Sequence, residues 1–213
     1  MKGIQRWTVK AVPEKEKIEA LSGAIGVNTV IAHLLVQRGI ETFEAAKEFF
    51  RPSLEHLHDP FLMKDMTKAV KRIETAISKG ENILVYGDYD VDGTTAVSLL
   101  SSYLKTRCDN IATYIPDRYN EGYGISYEGI NFADDNDITL IIALDCGIKA
   151  VDKVAYAREK GIDFIICDHH RPGSEVPHAA AVLDPKQEDC QYPYKELCGC
   201  GCLLYTSDAA DDL

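Results

Sequence analysis

The chain has 213 residues, 27% of them charged, and a formal net charge of -11. That length allows one sizeable core, or one domain with a small appendage. The acidic balance argues against a broadly basic surface that coats nucleic acid. No run approaches the roughly 18 apolar residues of a membrane span, and the opening "MKGIQRWTVKAVPEKEK" lacks a signal peptide's apolar centre, which points to the cytoplasm.

From residue 14 to about residue 80 the pattern is helical. "NTVIAHLLVQRGI" is amphipathic, with Asn28 as its N-cap and Gly39 as its stop. "TFEAAKEFF" follows Thr42, a second cap. "TKAVKRIETAISKG" carries apolar residues at 69, 70, 73, 76 and 77, a helical stripe that Gly80 ends.

Beyond residue 82 the period changes. "NILVYG", "NIATYIP", "ITLIIALDCG", "DFIICDHH" and "AAAVLDP" are short apolar runs without polar alternation, as expected of parallel strands buried on both faces. Segments 94–107, 126–135 and 149–160 between them can form helices. The alternation predicts an α/β fold, a doubly wound and mainly parallel sheet, preceded by a helical N-terminal segment. The expected division is residues 1–80 for that segment and 81–201 for the sheet domain.

The seven cysteines are an odd number, and Cys146 and Cys167 sit in or beside strands, so reduced thiols are expected rather than disulfides. Cys198, Cys200 and Cys202 follow C-x-C-x-C spacing, which does not match the paired C-x-x-C of zinc sites. His33, His56, His58 and His178 lie in helical or loop contexts and read as structural or solvated.

Chemistry gathers at three strand exits. "GDYDVDGTT", residues 87–95, begins like a calcium loop, but Leu99 stands at the twelfth position where a bidentate Glu is required. It also follows a strand instead of a helix. The first strand runs into Asp88, Asp90 and Asp92, the third into Asp145, and the fourth into Asp168, His169 and His170. Ligands of open α/β sheets bind at the carboxyl ends of strands, and neighbouring strands lie only ~4.8 Å apart. Converging carboxylates repel and need a cation or a proton. Oxygen ligands with one imidazole suit Mn²⁺ or Mg²⁺, and a pair of such cations is a common solution for phosphodiester hydrolysis. Each part also has a plainer reading. A single Asp after a strand is often a turn residue, and Thr94, Thr95 or Asp92 could cap the next helix. Extended, His169 and His170 would face opposite ways, leaving one as a ligand.

"YGDYDVDGTTAVSLL", "LDCGI" and "CDHHRPG" resemble the first three motifs of the DHH phosphoesterases. "RGIETFEAAKEFFRPSLEHLHDPFLMKDMTKAVKRI" and "IPDRYNEGYGIS" are similar to the branch of single-strand-specific exonucleases. The resemblance implies a metal-dependent 5′-to-3′ exodeoxyribonuclease of DNA repair and recombination, with Mn²⁺ or Mg²⁺ as cofactor and single-stranded DNA as partner. It implies Asp90, Asp92, Asp145 and His169 as metal ligands, with Asp88 in the same acidic motif. His170 would face the scissile phosphate, supported by Asp168. Arg118 would pair with phosphate, Gly122 and Gly124 would permit a tight loop, and Tyr123 would offer a stacking face. Tyr86 stands where many relatives carry histidine.

Two alternatives follow from the same family. One is a small-substrate enzyme acting on short RNA, cyclic dinucleotides or pyrophosphate, against which the long helical N-terminal segment argues. The other is a non-catalytic scaffold, against which the intact acids and histidines argue. The final stretch "CLLYTSDAADDL", residues 202–213, breaks the preceding pattern, and Cys202 to Asp211 within it match the translation of a transposon-end sequencing adapter, so 202–213 is read as an artefact. The expectation is therefore a fragment, with a fourth acidic motif that supplies a further ligand of a two-metal site and further domains lying beyond Gly201, so that the 213-residue chain itself binds Mn²⁺ weakly and is inactive.

Overall fold

The computed structural model describes residues 8–201. The expected foreign tail, residues 202–213, lies outside the described residues. By compactness the chain divides after Leu57.

The first unit contains α1 (Lys15–Ile25), α2 (Thr29–Val36) and α3 (Phe43–Phe50). Asn28 caps α2 by accepting from the Ile31 amide at 2.9 Å, and Thr42 caps α3 by accepting from Ala45 at 3.1 Å. α2 stops at Val36, before Gly39, and Gly39 turns the chain with a φ of 81°. Ile18, Leu21, Ala32, Leu35, Val36 and Ala46 form this unit's own core.

The second unit, from His58, holds α4 (Met66–Lys79), β1 (Asn82–Gly87), α5 (Val91–Leu104), β2 (Ile111–Tyr114) and α6 (Tyr127–Asp135). β3 (Ile138–Leu144), α7 (Val151–Glu159), β4 (Asp163–Cys167) and β5 (Ala181–Leu183) complete it. All strand pairs are parallel and the order is β2-β1-β3-β4-β5. α4 belongs here and not with the N-terminal helices. Its stripe of Met66, Ala69, Val70, Ile73 and Ala76 joins Ile83, Val85, Leu140 and Ile142 in one core layer.

The apolar runs are explained by burial on both faces. Ile83 and Val85 point into the layer under α4 and α5, while Leu84 and Tyr86 point into the layer under α6 and α7. Neither face meets water, so no polar alternation is required. α5 begins at Val91, three residues earlier than its apolar pattern predicts. Asp90 is the cap, accepting from the Gly93 amide at 3.0 Å, and this replaces the capping expected of Thr94, Thr95 or Asp92. Thr94 instead donates to the Asp90 carbonyl at 2.7 Å. Among the described residues no single helix is long and apolar enough to cross a membrane.

Candidate metal centre

The strand order reverses between β1 and β3, because the chain steps from β1 out to β2 and returns past β1 to β3. A crevice opens at such a switch point, outside the carboxyl ends of the strands. Asp88 and Asp90 follow β1, Asp145 follows β3, and Asp168, His169 and His170 follow β4. The topology thus delivers all three exits to one end of the sheet.

Asp145, His169 and His170 present ligand atoms within 4.8 Å of one another. Asp145 Oδ1 and His169 Nε2 are 3.1 Å apart, yet Oδ1 receives no hydrogen bond. Two ligands on adjacent corners of an octahedron with bonds of about 2.1 Å would lie roughly 3 Å apart. Asp88 Oδ2 is a second buried acceptor without a donor. Gly199 passes so close that a Cβ there would lie 2.8 Å from Asp145 Oδ1. These unsatisfied acceptors beside an imidazole fit a hard divalent cation.

Burial pushes the Asp145 carboxyl up to about 7, and the charges of Asp90, Asp168 and Asp92 add to the shift. Burial also raises Asp88, with the Asp90 charge contributing and the Tyr89 and Gly124 amides opposing. Burial lowers His169, helped by the neighbouring His170, which favours the neutral imidazole a metal requires. Asp145 sits at a φ of 61°, a left-handed conformation that Asp tolerates better than most residues. Its amide donates to the Cys167 carbonyl at 2.8 Å, which holds this turn against β4.

Asp90 and Asp92 stand apart from the tight group. Asp90 is exposed at the cap of α5, with one oxygen on the Gly93 amide, and Asp92 lies in the helix's first turn. Gly93 lets that turn close on β1: a Cβ would lie 2.7 Å from the Asp88 amide nitrogen.

Asp168 is of another kind. Its Oδ1 accepts from the His169 amide (2.7 Å), the His170 amide (3.1 Å) and His170 Nδ1 (2.7 Å), and its Oδ2 accepts from the Ile148 amide (2.9 Å). Both of its oxygens are thus engaged within the protein. With Nδ1–H donating to Asp168, His170 Nε2 is free to accept from the Tyr123 hydroxyl 3.1 Å away. Burial raises Tyr123, with Asp88 and Asp145 reinforcing, so its phenol stays a donor. The chain leaves the extended conformation after Cys167, so the two imidazoles lie side by side with centroids 4.8 Å apart instead of facing opposite ways.

The loop over 117–124 carries the other expected residues. Gly122 and Gly124 have φ of 84° and 78°, the left-handed region glycine favours. Tyr123 packs edge-on against Tyr89, and the exposed Arg118 guanidinium covers the Tyr89 ring at 4.9 Å. Arg118, Tyr89, Tyr123 and His170 thus form a continuous row.

Three further residues complete the surroundings of the site. Glu121 accepts from the Asp117 amide (2.7 Å), the Tyr114 hydroxyl (2.8 Å) and the Ser126 hydroxyl (2.5 Å), pinning the loop to β2 and α6. The buried Tyr86 hydroxyl donates to the Gly124 carbonyl at 2.9 Å and accepts from the Ser126 amide at 3.1 Å. Asp184, following β5, is fully buried; its Oδ1 accepts from the Lys186 amide while Oδ2 has no donor. Burial lifts it to about 7, and Asp168 adds to the shift. A strand followed by Asp is the same signal that marks Asp145.

The DHH family, N-terminal domain, matches residues 82–212, more than half of the chain, and the chain belongs to that family. It is 41% identical over 196 residues to the single-stranded-DNA-specific exonuclease RecJ of Bacillus subtilis, covering 92% of this chain and 25% of that protein. The chain therefore spans a quarter of that relative's length. A RecJ exonuclease structure bound to manganese superposes with a TM-score of 0.64 at 29% identity, covering 70% of this chain and 38% of that one. RecJ from Thermus thermophilus in complex with Mn²⁺ gives 0.70 at 25% identity, covering 97% and 28%.

Proposed function

We propose that the chain acts in metal-dependent exonucleolytic hydrolysis of single-stranded DNA, cutting phosphodiester bonds in the service of DNA repair and recombination. The 5′-to-3′ direction follows from the motif resemblance. The observation that carries the reading is the convergence, at the switch point, of ligand atoms from Asp145, His169 and His170, with Asp145 Oδ1 left without a donor. Its family relatives include single-stranded-DNA-specific exonucleases, and two solved RecJ structures hold manganese.

Asp88, Asp90, Asp92, Asp145 and His169 would hold Mn²⁺ or Mg²⁺. When bound, such cations lower the pKa of water and neutralise charge developing on the phosphate. Asp168 acts as a positioning residue that fixes the orientation of the His170 ring, which would face the scissile phosphate. Arg118 pairs with a neighbouring phosphate, and the half-exposed ring of Tyr123 stacks on a base. We place the reaction in the cytoplasm, where the six described cysteines remain free thiols.

The test is Mn²⁺ binding to the purified chain by calorimetry, beside cleavage of a 5′-labelled single strand, a dinucleotide and pyrophosphate. Weak Mn²⁺ binding that is lost in Asp145→Asn and His169→Ala is expected, and any cleavage should fall on the single strand alone. Binding unchanged in both variants would sink the metal assignment. Cleavage confined to dinucleotide or pyrophosphate would move the protein to a small-substrate activity.

A further inference from the structure

Asp145 is buried, and its Oδ1 receives no hydrogen bond although His169 Nε2 stands 3.1 Å away. On another side the oxygen is closed off by Gly199, which is itself buried. The side-chain direction of Gly199 points at Asp145: a Cβ there would lie 2.8 Å from Oδ1 and 3.1 Å from both Cα and Cβ. Oδ1 therefore faces an α-hydrogen on that side, which keeps water away and offers no amide donor. Leu197 and Cys200 seat this stretch of chain on the core layer under α4 and α5. Gly199 does not adopt the left-handed region, so its backbone is open to alanine. What it lacks is room for a Cβ, and the obstacle is Asp145 alone.

We propose that Gly199 is a positioning residue of the metal centre: its missing side chain lets residues 197–201 close on Asp145 and keeps Oδ1 dry and without a donor. The inference rests on the metal reading above and adds to it a residue with no side-chain ligand atom. Two physical points carry it. A carboxylate oxygen bonded to water or to an amide must give up that bond to take a cation, whereas a buried oxygen without a donor gains on binding. A Cβ at 2.8 Å from that oxygen is inside van der Waals contact, so Asp145 or the segment would have to move. Either movement opens Oδ1 to water and draws it away from His169.

The experiment titrates Mn²⁺ into the full chain and follows water-proton relaxation, which suits weak binding and also counts the waters on the bound ion. Gly199→Ala should weaken Mn²⁺ about tenfold, the lower end of the loss when a group supporting a ligand is removed. The bound ion should carry about one more water than in the parent, in place of Oδ1. Gly201→Ala is the control. Its Cβ would meet the flexible end of Leu197 at 2.7 Å and not Asp145, so affinity and hydration should keep the parent's values. Leu197→Ala loosens the seat of the same segment without a clash and should raise hydration in the same direction. Parent-like affinity in Gly199→Ala, weaker affinity with unchanged hydration, or an equal loss in Gly201→Ala would each overturn the positioning role. Should Gly199→Ala fail to fold, parent-like hydration in Leu197→Ala would overturn it instead. Asp145→Asn separates the two readings. Mn²⁺ binding that it leaves unchanged defeats the metal centre and this inference with it, whereas binding lost in Asp145→Asn but kept in Gly199→Ala defeats the role of Gly199 alone.

Discussion

The exits of β3 and β4 adjoin in the sheet and treat their aspartates in opposite ways. Asp168 receives hydrogen bonds on both oxygens from three amides and an imidazole. Asp145 is equally buried, but its Oδ1 receives none, and burial lifts its carboxyl to about 7. A carboxylate with donors on both oxygens is already compensated and acts as scaffold. An unsaturated one must find a proton or a cation, since leaving a buried charge bare is costly. Two neighbouring residues of one type are thus assigned different roles by the donors around them.

The strongest way to break this contrast is to remove the scaffold. Asp168→Ala strands one buried and three part-buried donors at once and should destabilise the chain by about 4 kcal/mol, since a fully buried group of this kind costs about 1–3 kcal/mol. Urea denaturation in chelator measures it, and a loss below about 1 kcal/mol would mean that Asp168 is not structural. Asp145→Asn should behave in the reverse sense. Metal-free stability at pH 8 should hold or rise, because a buried charge is gone. Mn²⁺ affinity should fall about 100-fold, at least the loss seen when a ligand's supporting group is removed. Calorimetry with thermal melts reads both halves, and a variant that both melts early and still binds Mn²⁺ would erase the distinction.

Asp184 sharpens the comparison, because its free oxygen sits where a proton can serve in place of a metal. Its folded value of about 7 lies above the ordinary 3.8 of the unfolded chain. The folded state therefore keeps a proton that the unfolded state has released. This contribution to stability is full below about pH 4 and is lost as pH climbs towards 7. Asp184→Asn should gain on the parent by about 2 kcal/mol between pH 4 and pH 8, a sum below the full linkage limit. Parallel stability curves for the two proteins would refute the buried proton. The smallest effect concerns the phosphate row. Arg118→Ala should leave Mn²⁺ affinity unchanged and reduce the salt slope of single-strand binding by about 1, the loss of one phosphate contact. An unaltered slope in a salt titration would remove Arg118 from the path of the strand.

Much of this architecture can be read from the chain because parallel strands buried on both faces have no alternation to obscure them. Ile83 to Tyr86 and Leu140 to Leu144 announce themselves as apolar runs, and Asp145 and His169 stand out as polar residues where those runs stop. The start of α5 is less legible. Asp90 combines a possible ligand role with helix capping, and one side chain with two roles leaves a single mark. Asp184 escaped notice because β5 has only three residues and no histidine follows it. The Glu121–Ser126–Tyr86 network depends on which hydroxyl meets which carboxylate across β1, β2 and a loop. Such pairings are properties of the folded sheet and leave no local pattern.

The crossing order of the strands has a kinetic consequence. Asp88, Asp145 and His169 arrive from β1, β3 and β4, and parallel pairs must close long intervening loops before any contact rewards them, which makes such sheets slow to assemble. A half-assembled chain with β4 undocked lacks His169 and the Cys167 carbonyl that anchors the Asp145 turn. It offers scattered aspartates and no cage. A cation held by these residues would then be taken up last and would select the finished molecule, since a ligand that binds only the folded form stabilises it increasingly as its concentration rises. Manganese release should accordingly track the unfolding of the central strands in time, and a chain starved of divalent cations should open first where its carboxylates crowd.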